Sequence, residues 1–327
     1  LDGGGHLHTN FALKASGEYL ALIAPDGTTV VSEFAPAYPA QMEDISLGPG
    51  GFFLTPTPGA PNDGEGFLGF VADTTFNLDR GFYDQPITVT ISTLTPDAEI
   101  FFTTDGSAPS PTNGALHTAP IPIATTTLRA ASFRDGFAPT NIDTHTYIFA
   151  DDVIVQPNDP PGYPAIWAGK PADYEMDPDI VSDPAYAGDM TAALKAFPTL
   201  SLVMNMDDMF GGQGIYQNPQ SQGDAWERPV SAELIIPDAS EPGFQIDAGL
   251  RIQGGSSRNP DTPKHSMSLR FRKQYGAGKL DYPMFADAPS GDSAVEEFDF
   301  LQLRSGYNFG WVHRHYYQSR HAQYNRD

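Results

Sequence analysis

Gly249-Leu250-Arg251-Ile252-Gln253-Gly254-Gly255-Ser256-Ser257-Arg258, followed by Pro263-Lys264-His265-Ser266 and Met267-Ser268-Leu269-Arg270-Phe271-Arg272, reads as strand, Gly/Ser-rich loop, strand. Ile246, Ala248, Leu250 and Ile252 share one face of the first strand, because strand side chains alternate with a period of two. Met267, Leu269 and Phe271 form the matching set on the second, with Ser268, Arg270 and Arg272 on its other face. Val230, Ala232, Leu234 and Ile236 make another such set, and residues 197–204 and 298–303 read as further strands. Short connections between consecutive strands predict an antiparallel sheet.

Upstream, the pattern stays β-rich. Strands are predicted at 87–92, 99–104, 127–133 and 144–149, with Val89 and Ile91 alternating with Thr88 and Thr90. Near the start, two β-rich runs flank Pro25-Asp26-Gly27, a hairpin signal because Asp and Gly tolerate the positive φ of a tight turn. Between the two β regions, residues 150–193 carry Asp159-Pro160-Pro161-Gly162-Tyr163-Pro164 and repeated Asp-Pro pairs, which block regular structure. They read as a linker, or alternatively as a strap packing Trp167 and Tyr174 onto the next domain. Residues 313–327 have helical spacing and no Gly C-cap.

Composition bounds the function. The 327 residues hold 32 Gly and 30 Pro with few charged side chains, the texture of short strands and many turns. A net charge of -23 opposes nucleic-acid binding, since a polyanion would be repelled. The charge is uneven: residues 249–327 carry 11 basic and 8 acidic side chains, whereas everything before them is strongly acidic. That points either to a small-anion site or to a decorated sheet face. With no cysteine, disulfides, thiolate metal sites and Cys nucleophiles are excluded. No run of 18 apolar residues exists, so no membrane span is expected.

The chemistry concentrates in the loop. Gly254 and Gly255 let the backbone approach an anion, and Ser256 and Ser257 add hydroxyls. Lys264 would supply a point charge and Arg258 a fork of donors. A solvent-exposed basic hairpin loop would read the same way, and the spacing is neither a P-loop nor the kinase Gly-x-Gly-x-x-Gly pattern. His6 and His8, and His313, His315 and His321, are candidate metal ligands without a third partner, more simply surface histidines. Asp207-Asp208 suits a helix N-terminus better than a cation.

Three resemblances order these readings. Gly51-Phe52-Phe53-Leu54-Thr55-Pro56-Thr57-Pro58-Gly59-Ala60-Pro61-Asn62 resembles the ending of a bacterial lamin-tail domain, which makes residues 1–62 a partial Ig-like sandwich. The turn Thr103-Thr104-Asp105-Gly106-Ser107-Ala108-Pro109, with residues 128–133 and Asp135-Gly136, resembles the C-terminal sandwich of chitobiases and hexosaminidases, over 72–149. Ile215-Tyr216-Gln217-Asn218-Pro219, the run 226–234, the Gly-Gly-Ser-Ser-Arg loop, Pro263-Lys264-His265-Ser266 and Tyr275-Gly276-Ala277-Gly278-Lys279-Leu280 together resemble the first part of a CotH-type (spore coat protein H-like) kinase domain, over 194–327.

The implied fold class is mainly β: two Ig-like sandwich modules, the first partial, then the β-rich N-terminal part of an atypical protein-kinase-like α+β domain. The implied parent is a secreted or cell-envelope modular bacterial protein, an ATP- and Mg-dependent kinase with a protein substrate. By that resemblance Lys264 meets ATP phosphates, and Arg258 with Gly254, Gly255, Ser256 and Ser257 lines the nucleotide site. The family's catalytic acidic residues match no position here, so this stretch by itself is expected to be inactive. The alternative is a non-catalytic surface scaffold or adhesion protein whose sandwiches bind polysaccharide or protein.

Overall fold

The structure, a computed structural model, describes residues 11–261, 264–286 and 291–305; His6, His8, His313, His315, His321 and the helix read over 313–327 lie outside them. The chain divides into two compact units, Leu1–Val71 with Phe133–Pro139, and Ala72–Ser132 with Thr140–Asp327.

In the first unit, β1 (Leu20–Ile23) and β2 (Val30–Phe34) form the antiparallel hairpin read from the sequence. Asp26 Oδ1 accepts from the N–H groups of Thr28 and Thr29, closing the turn. β3 (Ser46–Gly48) pairs with β4 (Gly51–Phe53). Phe52 and Phe53 are buried, whereas Leu22 and Val31 on the hairpin are exposed. Residues 133–139 join this unit through bonds such as Val71 N–H to the Ala138 carbonyl (2.9 Å).

The second unit is mainly β and contains two sheets of five strands. Its first part comprises β5 (Thr74–Phe76), β6 (Gly81–Phe82), β7 (Ile87–Val89), β8 (Ile91–Thr93), β9 (Glu99–Thr103), β10 (Ala115–Leu116), β11 (Ile121–Ile123), β12 (Thr126–Phe133) and β13 (Asp143–Ile148). The predicted strand over 87–92 is broken at Thr90, whose N–H donates to the Asn77 side chain instead of a ladder. The larger sheet has the order β10-β9-β12-β13-β6, with β13 and β6 parallel. Val89, Ile91, Ile100, Ile121, Ile123, Leu128, Ala130 and Tyr147 fill the core against the pairs β7-β11 and β5-β8. Alternation along β12 and β13 leaves Arg129, Thr144 and Thr146 on the outer face.

Residues 150–193 contain three short helices, α1 (Ala150–Ile154), α2 (Pro178–Val181) and α3 (Met190–Leu194), and the pair β14 (Ile166–Trp167) and β15 (Lys170–Pro171). Trp167 packs edge-on against Tyr174 (ring centroids 4.8 Å) and Tyr216 (5.4 Å) and stacks on Phe210 (6.3 Å). This strap thus rests at Trp167 on the rings of Phe210 and Tyr216 from the residues that follow it.

The second large sheet has the order β16 (Thr199–Val203), β17 (Arg228–Ile235), β18 (Phe244–Ile252), β19 (Met267–Arg270) and β22 (Phe300–Leu303), antiparallel throughout. A small pair, β20 (Leu280–Asp281) and β21 (Glu297–Phe298), lies beside it in sequence, and α4 (Met206–Phe210) follows β16. Asn205 caps α4 and accepts from Asp207 N–H, so Asp207 and Asp208 occupy its first turn. One face of the sheet is the core, with Leu250 paired to Leu269 and Leu269 to Leu301. The other face is polar: Ser231 and Glu233 on β17, Asp247 and Arg251 on β18, Ser268 and Arg270 on β19. Part of that polar face packs on the outer face of the sandwich sheet, where Thr146 bonds both Ser201 and Glu233.

Candidate functional site

The Gly/Ser loop joins β18 to β19 as the sequence indicates. Gln253 N–H donates to the Ser266 carbonyl at 2.8 Å, closing the neck of the hairpin. Gly254 takes φ +103°, a region that L side chains rarely adopt, and residues Ser256–Arg258 then make one tight helical turn. Ser257 Oγ donates to the Gln253 carbonyl (2.8 Å), and the buried His265 donates from Nδ1 to the Ser257 carbonyl (2.6 Å). Burial holds His265 below its ordinary pKa, partly offset by that bond to the Ser257 carbonyl and reinforced by the neighbouring Arg258 charge.

Gly254, Gly255, Ser256 and Ser257 line a cleft of about 210 Å³, together with Ser266, Met267 and Gln302–Arg304. Gly254, Gly255 and Ser256 are exposed, and Ser257 is buried. Arg258 and Lys264 do not line that cleft. The Arg258 guanidinium turns onto backbone carbonyls instead: Nε to Gly254 (2.6 Å), Nη1 to Ser221 (2.6 Å) and to Pro219 (3.3 Å). It braces the loop against residues 219–221. Lys264 is exposed and makes no ion pair or hydrogen bond among the described residues. Four of the six residues singled out in the sequence thus share one cleft, one is a brace, and one stands two residues from the cleft-lining Ser266.

The basic character of residues 249–327 has a different destination. Glu227 is buried below Arg251, Arg270 and Arg272, with Arg272 Nε 3.3 Å from Oε1 and Arg251 Nη1 3.8 Å from Oε2. Asp224 closes the group from outside, 2.9 Å from Arg251 Nη1 and 3.1 Å from Arg272 Nη2. Bonding to Arg272 and Arg251 holds the Asp224 carboxyl below its usual range. Segment charge counting missed this neutralisation because both acids precede the basic stretch. The available signal was alternation: Glu227, just before β17, lies six residues before Glu233 and so in phase with it, opposite Val230 and Ala232.

Among the described residues, no group of three or more His, Cys, Asp or Glu side chains could hold a metal ion. No described helix is long and apolar enough to cross a membrane.

Residues 78–144 match the family model of the chitobiase/beta-hexosaminidase C-terminal domain. That stretch is a β-sandwich module of this type, and it spans β6 to β12 and the first two residues of β13. Its turn after β9 is built as a local device: Asp105 Oδ1 accepts from Ser107 N–H (3.0 Å) and Ser107 Oγ (2.6 Å), and Thr103 Oγ1 donates to the Ser107 carbonyl (2.6 Å). No match is found among curated proteins or among solved structures.

Proposed function

We propose that the second large sheet is the nucleotide-facing part of a CotH-type, ATP-dependent kinase domain, carried with β-sandwich modules in a secreted or cell-surface bacterial protein. The observation that carries this reading is the cleft lined by Gly254, Gly255, Ser256 and Ser257, with the ammonium of Lys264, which has no partner among the described residues, near its Ser266 edge in sequence. The backbone N–H groups of the loop and the Ser256 hydroxyl, with one ammonium on the adjoining stretch of chain, are donors suited to phosphate oxygens. ATP therefore fits the chemistry of the loop. Magnesium, which the same resemblance implies, has no ligand cluster among the described residues. The role read for this chain is phosphate binding, with transfer to a protein substrate assigned to groups that match none of its positions.

Titrating the 327-residue chain with ATP tests the reading. Saturable binding, weakened by Lys264→Ala and weaker for AMP than for ATP, is expected. Absence of saturable binding by a folded chain would sink it.

One observation favours a second reading, a non-catalytic surface scaffold or adhesion protein. Among the described residues the Nε and Nη1 donors of Arg258 go to backbone carbonyls, so most of its guanidinium is engaged away from a phosphate. Under this reading ATP leaves the chain unchanged, and the sandwich modules carry binding to polysaccharide or protein.

A further inference from the structure

A second cavity, of about 530 Å³, lies within the second unit where the sandwich sheet, the strap and α4 meet. Ligand clefts commonly enclose about 300–1,000 Å³, so it has the room of a small-molecule site.

Its walls are of two kinds. On one side stand the rings of Tyr163, Tyr174 and Phe210, with Met206 and Met209 beside them. These rings are fixed before any ligand arrives. Tyr163 meets Tyr174 and Phe210 edge-on at 5.5 and 6.4 Å, and Trp167 Nε1 donates to the Tyr174 hydroxyl at 2.8 Å. Tyr163 nonetheless keeps half its surface, 51%, exposed. An aromatic side chain left half uncovered in a concave wall is an unused apolar contact surface.

On the other side are uncharged hydrogen-bonding groups. The hydroxyls of Thr104 and Thr127 line the cavity and make no hydrogen bond to the described residues. Gln156 donates from Nε2 to the Tyr174 carbonyl at 2.7 Å, which leaves Oε1 as an acceptor. Asp105 uses Oδ1 on Ser107 and retains Oδ2. The turn that presents Thr104 and Asp105 is held in place, since Arg129 Nη1 donates to the Gly106 carbonyl at 2.8 Å.

The lining contains no Lys, Arg or His, and its one charged side chain is the carboxylate of Asp105. A phosphate, sulfate or uronate would meet no cation there and one like charge. The ligand that suits such walls is neutral, carries many hydroxyls, and presents an apolar C–H face to an aromatic ring. We propose that this cavity is a binding site for a neutral saccharide, with Tyr163 as the stacking ring and Thr104, Thr127, Gln156 and Asp105 as its hydrogen-bonding partners. The site uses residues of the sandwich, the strap and α4 together, so the module matched to the chitobiase family contributes only part of it.

The test is titration of the 327-residue chain with cellotetraose, triacetylchitotriose and mannotriose, followed by calorimetry and by the fluorescence of Trp167, which touches Tyr174. Saturable binding of at least one sugar is expected, about tenfold weaker in Tyr163→Ala, the order of one lost aromatic contact, and weaker also in Thr127→Val. Tyr163 is half exposed, so its truncation should leave the fold intact, and Thr127→Val keeps the side-chain shape. Added ATP should not compete, which separates this site from the Gly/Ser cleft. Failure of all three sugars to saturate, or an affinity unchanged in both variants, would overturn the proposal.

Discussion

The backbone N–H of Thr146 donates to Glu233 Oε1 at 3.2 Å across 87 residues of sequence. The Thr146 hydroxyl also bonds Glu233 Oε2, and Ser201 Oγ lies 2.7 Å from that hydroxyl. Arg80 Nε approaches Oε1 at 3.5 Å. Glu233 and Thr144 are fully buried here, and Arg129 and Asp247 face the same contact from the two sheets. A sandwich sheet and a separate antiparallel sheet therefore meet here through hydroxyls and a carboxylate.

This contact predicts a specific pH dependence. Burial, partly offset by the Thr146 bonds and Arg80, pushes Glu233 up to about 7 from an ordinary 4.5. Between those values the folded state holds the extra proton, so this contribution to stability is present in acid and is lost as pH rises through about 7. His145 works the other way. Burial, then Arg80, depresses it to about 4 from 6.5, so its contribution is present above 6.5 and lost as pH falls towards 4. The two oppose each other across much of the acid range. Glu233→Gln should unmask the histidine, giving a urea midpoint that, relative to wild type, climbs with pH between the two histidine values. His145→Phe, which keeps the stack on Phe76 (4.0 Å), should give a midpoint that falls as pH rises towards 7. Parallel curves for wild type and both variants would refute this assignment.

The Glu227 group makes a second prediction. Its carboxylate is balanced by three guanidiniums within 3.9 Å. Glu227→Gln leaves Arg251, Arg270 and Arg272 crowded with Asp224 alone. Breaking a buried pair by removing one partner costs roughly 3–5 kcal/mol, which should appear as a Tm lower by many degrees. Added salt should recover part of the loss by screening the remaining repulsion. A variant with wild-type Tm at low salt would show that the group does not hold the sheet.

Alternation within each strand was enough to read the antiparallel sheet, because Leu250, Leu269 and their neighbours repeat with a strict period of two. The turn residues at Asp26-Gly27 and the Gly/Ser loop were equally legible, since their chemistry is local. What escaped was everything set by contacts between distant segments. Arg258 reads as an anion ligand until the carbonyls of Pro219 and Ser221 are brought to it. Glu233 reads as an ordinary polar position until Thr146 covers it. The Asp-Pro-rich strap lacks periodicity, so Trp167 and Tyr174 stood out as aromatic residues able to pack while their partners, Phe210 and Tyr216 among them, did not.

The bracing role of Arg258 is tested by substituting a lysine. A lysine keeps the charge but is a point donor and cannot reproduce a planar fork bonded to carbonyls of Gly254 and Ser221. Arg258→Lys should speed amide exchange across residues 253–258, while exchange in the β12–β13 ladder stays as in wild type. Arg258→Ala should cost about 1.5–3 kcal/mol, the range for hydrogen bonds from a charged donor. If Lys gave wild-type protection of the loop, charge alone would be its contribution.

Gly249 tests how closely β18 approaches the chain beneath it. A Cβ there would sit 2.5 Å from Glu227 Oε1 and 2.6 Å from Tyr275 Cε2, inside any tolerable contact. Gly249→Ala adds one methyl group to a β-strand, where alanine ordinarily does no worse than glycine. Here it should instead destabilise by about 1–3 kcal/mol, the usual range for overpacking, approaching the ~2–5 kcal/mol expected for emptying the core at Leu269→Ala. Coupling distinguishes a local clash from a general loss of sheet structure. Combining Gly249→Ala with Tyr275→Ala removes one of the two obstructing groups, so the double variant should be more stable than the sum of the single losses predicts. Additive losses would mean that the alanine acts elsewhere, and that the approach of Tyr275 to this strand does not constrain it.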